Sequence, residues 1–246
     1  MMLDLKLVLF DMAGTTIRDD QEVEQCFMDA ADATGLVVER DRIVGMMVWS
    51  KRRVFQTLWA EQWEGNPVEL EQRVDASYSK FKGLLEDHYR TQPVVPTEGC
   101  LELFDWLRQQ GIAIGLNTGF YREVTTIILR RLGWDRGLDA TYVGSPSSPI
   151  QVSVTPSEIY NQEGRPAPYM IQKAMYHLGI RNPQQVMVVG DTPSDLEAGS
   201  NAHCGWVVGV TNGTHTRDQL IPHPHHELFD SLSDLRAYLV NRQRQS

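Results

Sequence analysis

Asp11 closes the apolar run "KLVLF" and is followed by Ala13, Gly14, Thr15 and Thr16. Three further polar segments recur along the chain: Thr118 and Gly119 in "LNTGF", Arg165 in "GRPAP", and Asp191 with Asp195 in "VMVVGDTPSDLEAG". A carboxylate held at a strand end can act as a nucleophile. Thr118 and Gly119, leading into a helix, offer amides to an anion, and Arg165 offers a cation just ahead of a helix that starts near Tyr169. Asp191 and Asp195 are one helical turn apart, so both carboxylates can face one point. Together the four segments supply a nucleophile, two phosphate cradles and a hard-cation site. Mg²⁺ suits that set, because it takes oxygen ligands and is held by one or two carboxylates plus substrate phosphate. Its charge screens a carboxylate attacking an anionic phosphorus. Each segment alone reads equally well as a turn or a helix cap; four in order at strand ends read as a site.

The elements that must position these residues are legible as short runs rich in Val, Ile and Leu: Leu5 to Phe10, Ile112 to Leu116, Val186 to Val189 and Trp206 to Val210. Helical patterns lie between most of them. "GCLELFDWLRQQG" sets Leu101, Phe104 and Leu107 on one stripe and stops at Gly111; "YREVTTIILRRLG" repeats Val124, Ile127, Ile128 and Leu132 and stops at Gly133. The alternation predicts an α/β fold, a Rossmann-like open parallel sheet with its ligand crevice beyond the carboxyl ends of the strands. Residues 21–92 break the rhythm with long helical stretches and no convincing strand, which predicts an inserted α-helical cap domain between core segments 1–20 and 93–246. Pro93 and Pro96 mark the return to the core. "GSPSSPIQVSVTPSEIYNQEGRPAP" predicts a long loop around one short strand, "IQVSV".

Composition narrows the partners. A chain of 246 residues, 41% hydrophobic, can bury one core and a smaller satellite. Its formal net charge of −9 argues against nucleic acid or an anionic membrane, while a small anion can still bind a local basic pocket. Cys26, Cys100 and Cys204 fit no CxxC spacing and read as buried reduced thiols, which points to the cytoplasm. No segment has the unbroken apolar length of a membrane span, and the N-terminus reads as the first strand. "HPHH", with His223, His225 and His226, reads as a proline-broken loop before it reads as a metal site. Trp49, Trp59 and Trp63 read as packing residues of the helices or of a subunit contact.

The order and wording of the motifs resemble the haloacid dehalogenase superfamily of aspartate-nucleophile hydrolases nearly end to end, with Gln21 to Gln92 in the place of the cap. Within it the chain looks most like the phosphonatases, the phosphonoacetaldehyde hydrolases. Their first motif reads D-x-A-G-T, as Asp11 to Thr15 do, and their GRP motif carries an arginine, as Arg165 does. The resemblance implies Asp11 as phosphoryl-accepting nucleophile and Mg²⁺ held by Asp11, the Ala13 carbonyl and Asp191, with Asp195 supporting the shell. It implies Thr118, Gly119 and Arg165 on the phosphoryl oxygens, Met47 and Phe120 beside the substrate, and a homodimer paired through the cap.

Many aspartate-based phosphoryl transferases carry a second aspartate two positions after the first, as proton donor to the leaving oxygen. Ala13 occupies that position. Cleaving a P–C bond expels a carbanion, which a proton donor rescues poorly and an electron sink rescues well. If a carbonyl sits beside the carbon bonded to phosphorus, a lysine amine can form an iminium with it and let the electrons leave as an enamine. "MMVWSKRRVFQTLW" contains a candidate: Ser50 can cap a helix with apolar stripe Val54, Phe55, Leu58 and Trp59, which puts Lys51 in the first turn. The helix's positive end and the nearby Arg52 and Arg53 would favour a neutral amine. Taken alone, Lys-Arg-Arg reads as a solvated face. Met47 and Lys51 keep the spacing of the phosphonatase cap motif, M-G-x-x-K.

The chain departs from that family at Val48, which replaces the motif's glycine, at Val54, where phosphonatase has histidine, and at Phe120, where it has tyrosine. The expected activity is therefore phosphonatase-like hydrolysis of phosphonoacetaldehyde or another 2-oxoalkylphosphonate. Three alternatives stay open: a Mg²⁺-dependent phosphate-ester phosphatase, which would not require Lys51; a dehalogenase, which would not need Asp191 and Asp195; and a catalytically silent regulatory protein.

Overall fold

The computed structural model describes residues 4–44, 46 and 50–244, without the side chain of Val44. In chain order the elements begin with β1 (Leu7–Phe10), α1 (Glu22–Ala33), α2 (Arg40–Val44), α3 (Lys51–Gln62), α4 (Pro67–Thr91) and α5 (Cys100–Gln109). They continue with β2 (Ala113–Asn117), α6 (Arg122–Leu132), β3 (Val152–Val154), α7 (Tyr169–His177) and β4 (Val186–Gly190). The last are α8 (Pro193–Asn201), β5 (Trp206–Val210), α9 (Arg217–Leu220), β6 (Glu227–Phe229) and α10 (Leu232–Arg244). The chain divides into two compact units, one running up to Asp19 and from Val94 onward, the other Asp20–Pro93.

The first unit is an α/β fold on a parallel sheet ordered β3-β2-β1-β4-β5-β6. All four residues of β1 are buried, as are all five of β4 and of β5. A parallel strand covered by helices on both faces needs apolar side chains on both, hence these unbroken runs. Phe10 lies opposite both Leu116 and Val189, which brings the residues just after β1, β2 and β4 side by side. β1 sits where the strand order reverses, the position at which open α/β sheets form a ligand crevice.

Two details differ from the sequence pattern. Leu101 is exposed, and α5 buries Cys100, Leu103, Phe104 and Leu107, because the helix turns its Phe104 stripe toward β2 and α10. β6, a three-residue edge strand, was not foreseen: "ELF" is too short to show a period and becomes a strand only by pairing with Val208 to Val210. Gly133 ends α6 in the left-handed conformation (φ 68°), a geometry glycine adopts without a Cβ penalty.

The second unit is helical, with α1 and α3 both packed on α4. Its centre is a stack of Phe27 on Phe55, ring centroids 3.9 Å apart, with Phe81 against both. Trp59 is buried and donates from Nε1 to Ser77 Oγ at 2.9 Å, a packing role that satisfies its one polar atom. Tyr89 donates to the buried Glu22, joining the start of α1 to the end of α4. Trp49 lies outside the described residues. Among the described residues no helix is long and apolar enough to cross a membrane. Cys26, Cys100 and Cys204 are free and buried; burial pushes the Cys26 thiol up to about 11 and the Cys204 thiol up to about 12, so both stay protonated at neutral pH.

Candidate active site

Asp11 follows β1 directly, and its amide donates to Val189 O on β4 at 2.9 Å, which locks the start of the loop to the sheet. The chain then turns tightly, with the amides of Thr15, Thr16 and Ile17 all converging on Met12 O. Gly14 takes φ +81°, and a Cβ there would lie 2.4 Å from Asp191 Oδ2, so only glycine lets the two loops approach this closely. Asp191 follows β4 and is fully buried. Thr192 caps α8, and its amide and hydroxyl donate to Asp195 Oδ2 at 3.0 and 2.6 Å, turning Asp195 back toward the strand ends. Among the described residues, Asp11, Asp191 and Asp195 are the one group of three such side chains whose ligand atoms lie within 4.8 Å of one another. A donor set made of buried carboxylate oxygens fits a hard divalent cation.

Arg165 closes the cluster from the opposite side. Its side chain is 12% exposed, and Nη1 lies 2.7 Å from Asp11 Oδ1, contacts Asp195 Oδ1, and donates to Asn117 O at 3.3 Å. Asp11 Oδ1 is buried, and the Arg165 guanidinium supplies its charge compensation as an ion pair. Burial pushes the Asp11 carboxyl up; Arg165 pulls it down, Asp195 and Asp191 push it up again, and the net position is well above the usual carboxylate range. Asp195 is raised for the same reasons: burial first, offset in part by Arg165, reinforced by Asp191. Arg165 sets one positive charge against three carboxyl groups, a donor set that could hold a cation.

Thr118 and Gly119 follow β2, and a Cβ on Gly119 would meet Arg165 Nη2 at 3.3 Å, so this loop lies against the guanidinium. Thr118 N–H donates to Val154 O, Phe120 N–H to Thr118 Oγ1, and Arg122 N–H to Ser157 Oγ, because the loop must satisfy its own buried backbone. Phe120 is buried, and Ala13 is half-buried within the Asp11 turn. Thus Asp11, Ala13, Thr118, Gly119, Phe120, Arg165, Asp191 and Asp195 all lie at the carboxyl end of one sheet.

Lys51 belongs to the helical unit, where it opens α3 and is half-buried. Ser50 stands at the N-cap without a side-chain capping bond, and Arg52 is paired with Glu71 and Asp75, so its charge is partly spent there. Val54 is buried in the helical packing. Met47 and Val48 lie outside the described residues.

Residues to which the motifs gave no role complete the carboxylate shell. Thr15 Oγ1 donates to Asp191 Oδ1 at 2.9 Å, and the loop after β5 contributes Gly213 and Thr214 against the same carboxylate. The available signal was position alone: "TNGT" follows the last long parallel strand. The histidine loop is occupied by its own bonds: His223 with Glu197, His225 Nδ1 with His223 O, and His226 Nδ1 accepting from Val207 N–H.

Comparison with known proteins agrees with this geometry. A haloacid dehalogenase-like hydrolase family model matches residues 5–203, and the chain belongs to that family. A phosphonoacetaldehyde hydrolase of Parabacteroides distasonis is 28% identical over 225 residues, covering 84% of this chain and 76% of that protein. The phosphonoacetaldehyde hydrolase of Paraburkholderia phytofirmans is 30% identical over 220 residues, covering 84% and 74%. Among solved structures, a hydrolase from Pseudomonas syringae superposes with a TM-score of 0.71 at 19% identity, covering 96% of this chain and 98% of that one. A predicted phosphoglycolate phosphatase from Haemophilus somnus superposes with a TM-score of 0.69 at 17% identity, covering 96% and 99%. These likenesses in structure establish the fold.

Proposed function

We propose that the protein is a phosphonatase-like hydrolase that cleaves the C–P bond of phosphonoacetaldehyde or a related 2-oxoalkylphosphonate. The observation that carries this reading is the match, over 84% of the chain, to proteins named phosphonoacetaldehyde hydrolase. Ala13 supports it, since an ester phosphatase gains from an acid at that position and an imine route does not need one.

In this reading Thr118, Gly119 and Arg165 bind the phosphonate oxygens, and Met47 and Phe120 border the substrate. The Lys51 amine condenses with the substrate carbonyl, releasing water and forming an iminium. Asp11 attacks phosphorus, the C–P bond breaks, and its electron pair moves into the enamine, leaving an acyl phosphate on Asp11. Water then releases phosphate from Asp11, while protonation and hydrolysis of the enamine return the carbonyl product and the Lys51 amine. Asp11, the Ala13 carbonyl and Asp191, with Asp195 behind them, would hold Mg²⁺, whose charge when bound offsets repulsion between the Asp11 carboxylate and the anionic phosphonate. The buried Asp11 oxygen beside Arg165 and the three converging carboxylates suit that assignment. The reading places the enzyme in the cytoplasm, consistent with its free thiols, and expects pairing of two copies through the helical unit.

Borohydride trapping with phosphonoacetaldehyde, peptide mass spectrometry and a phosphate-release assay with Mg²⁺ test the proposal. A reduced adduct on Lys51 with phosphate release is the expected result. Hydrolysis of simple phosphate esters that survives Lys51→Ala, with no adduct from any 2-oxoalkylphosphonate, would replace it with an ester phosphatase.

A further inference from the structure

Asp191 is the most enclosed carboxylate of the cluster, and its two oxygens are not treated alike. Oδ2 accepts from Thr214 N–H and from Thr214 Oγ1–H, both at 2.7 Å. Oδ1 accepts from Thr15 Oγ1–H at 2.9 Å. A carboxylate has about four lone-pair positions. Thr214 uses both on Oδ2, Thr15 uses one on Oδ1, and one position on Oδ1 remains.

The loop that delivers Thr214 is anchored at both ends. Thr211 N–H donates to Phe229 O at 2.9 Å and its hydroxyl to Asp230 at 3.1 Å. Past the loop, Thr216 and Gln219 form a capping box on α9, and Arg217 bonds Asp230 at 2.9 Å. Between these anchors, a Cβ on Gly213 would sit 2.4 Å from Asp191 Oδ2, so glycine is required for the backbone to come within bonding distance. The Thr214 hydroxyl has one proton and directs it at Asp191 Oδ2; His215 Nδ1 lies 2.9 Å from the same hydroxyl oxygen and can donate to it in the tautomer that carries a proton on Nδ1. Thr214 itself is exposed, so nothing in core packing explains why a surface residue reaches a fully buried aspartate.

We infer that Thr214 is a positioning residue that closes Oδ2 of Asp191 and leaves Oδ1 as the single oxygen Asp191 presents to a divalent cation. This rests on the reading above that the carboxylate cluster holds such a cation. Partners that orient a metal-binding carboxylate typically change affinity by about 10–100-fold when removed.

The test is calorimetric titration of the chelator-treated full chain with Mn²⁺ at neutral pH, in wild type, Thr214→Val, Thr214→Ser, Gly213→Ala and Asp191→Asn. Thr214→Val keeps the branched shape and the backbone N–H and removes the hydroxyl. It should weaken Mn²⁺ binding about 10-fold or more, with Thr214→Ser returning to wild-type affinity and Gly213→Ala matching the valine variant. Wild-type affinity in Thr214→Val would overturn the positioning role. A wild-type protein with no Mn²⁺ binding that Asp191→Asn abolishes would instead sink the cation reading itself. Because Thr214 is exposed, Thr214→Val and Thr214→Ser should still melt cooperatively from a folded state in chelator, which separates loss of affinity from loss of fold.

Discussion

Replacing Arg165 by methionine gives the sharpest test of how the site is held together. The guanidinium is a positive group in contact with both Asp11 and Asp195. Methionine preserves bulk and removes the charge. Deleting one partner of a buried ion pair costs about 3–5 kcal/mol, because the remaining charges stay buried without compensation. For a chain of this size that corresponds to a melting shift of roughly 6–20 °C, at about 2–4 °C per kcal/mol. The pH dependence has a definite sign. Asp11 and Asp195 have folded pKa values raised above the ordinary 3.8, so the stability they contribute is fully present below that value and is lost as pH rises through the folded values. Arg165 opposes both shifts, so its removal raises them further and the deficit of the variant must grow from acid to neutral pH. Urea unfolding in chelator, near pH 4 and pH 7.5, measures this directly. A deficit equal at the two pH values, or none at pH 7.5, would refute the electrostatic account of the cluster.

Three further outcomes are expected. Mg²⁺ at about 100 times its Kd should stabilise the protein by about 2.7 kcal/mol at pH 7.5 and by less near pH 4, where protons compete for the same carboxylates; melting curves indifferent to Mg²⁺ at both pH values would count against a cation site. Glu158 is raised by burial but lowered more by the Arg122 fork at 2.8–2.9 Å and by Thr155, leaving it below its ordinary value. The wild type should therefore exceed Glu158→Gln by about 1–3 kcal/mol at pH 7, with the margin present above about pH 4.5 and lost as pH falls through the folded value. Chemical unfolding at pH 3 and pH 7 distinguishes this from a packing effect, which would persist at both. Phe55→Ala removes one ring of the buried Phe27 stack and should cost the helical unit about 3–5 kcal/mol, read as early loss of helical circular dichroism; a loss under 1 kcal/mol would mean the stack is not a packing centre.

Much of the fold was readable locally. The runs that became β1, β4 and β5 announce themselves because a strand buried on both faces is apolar along its length, and Gly133 announces the end of α6 because it takes a left-handed turn. Leu101 shows the limit of the same reasoning: its spacing suits a buried stripe, yet which side of α5 faces inward depends on where β2 and α10 lie. β6 shows it again, since three residues have no period and gain strand character only from a neighbour.

By itself the sequence determined the supply of chemistry: a carboxylate after each of two apolar runs, an arginine ahead of a helix, and an alanine where an acid commonly stands. Spacing carries such information because strand and helix periods act over a few residues. Only the tertiary structure decided who meets whom. Thr15 reaches Asp191 across 176 positions, Arg165 reaches Asp195 across 30, and an exposed threonine after β5 closes one oxygen of a fully buried aspartate. Those pairings follow from the strand order, which sets the ends of β1, β2, β4 and β5 close together, and from two glycines whose missing side chains let backbone approach a carboxylate.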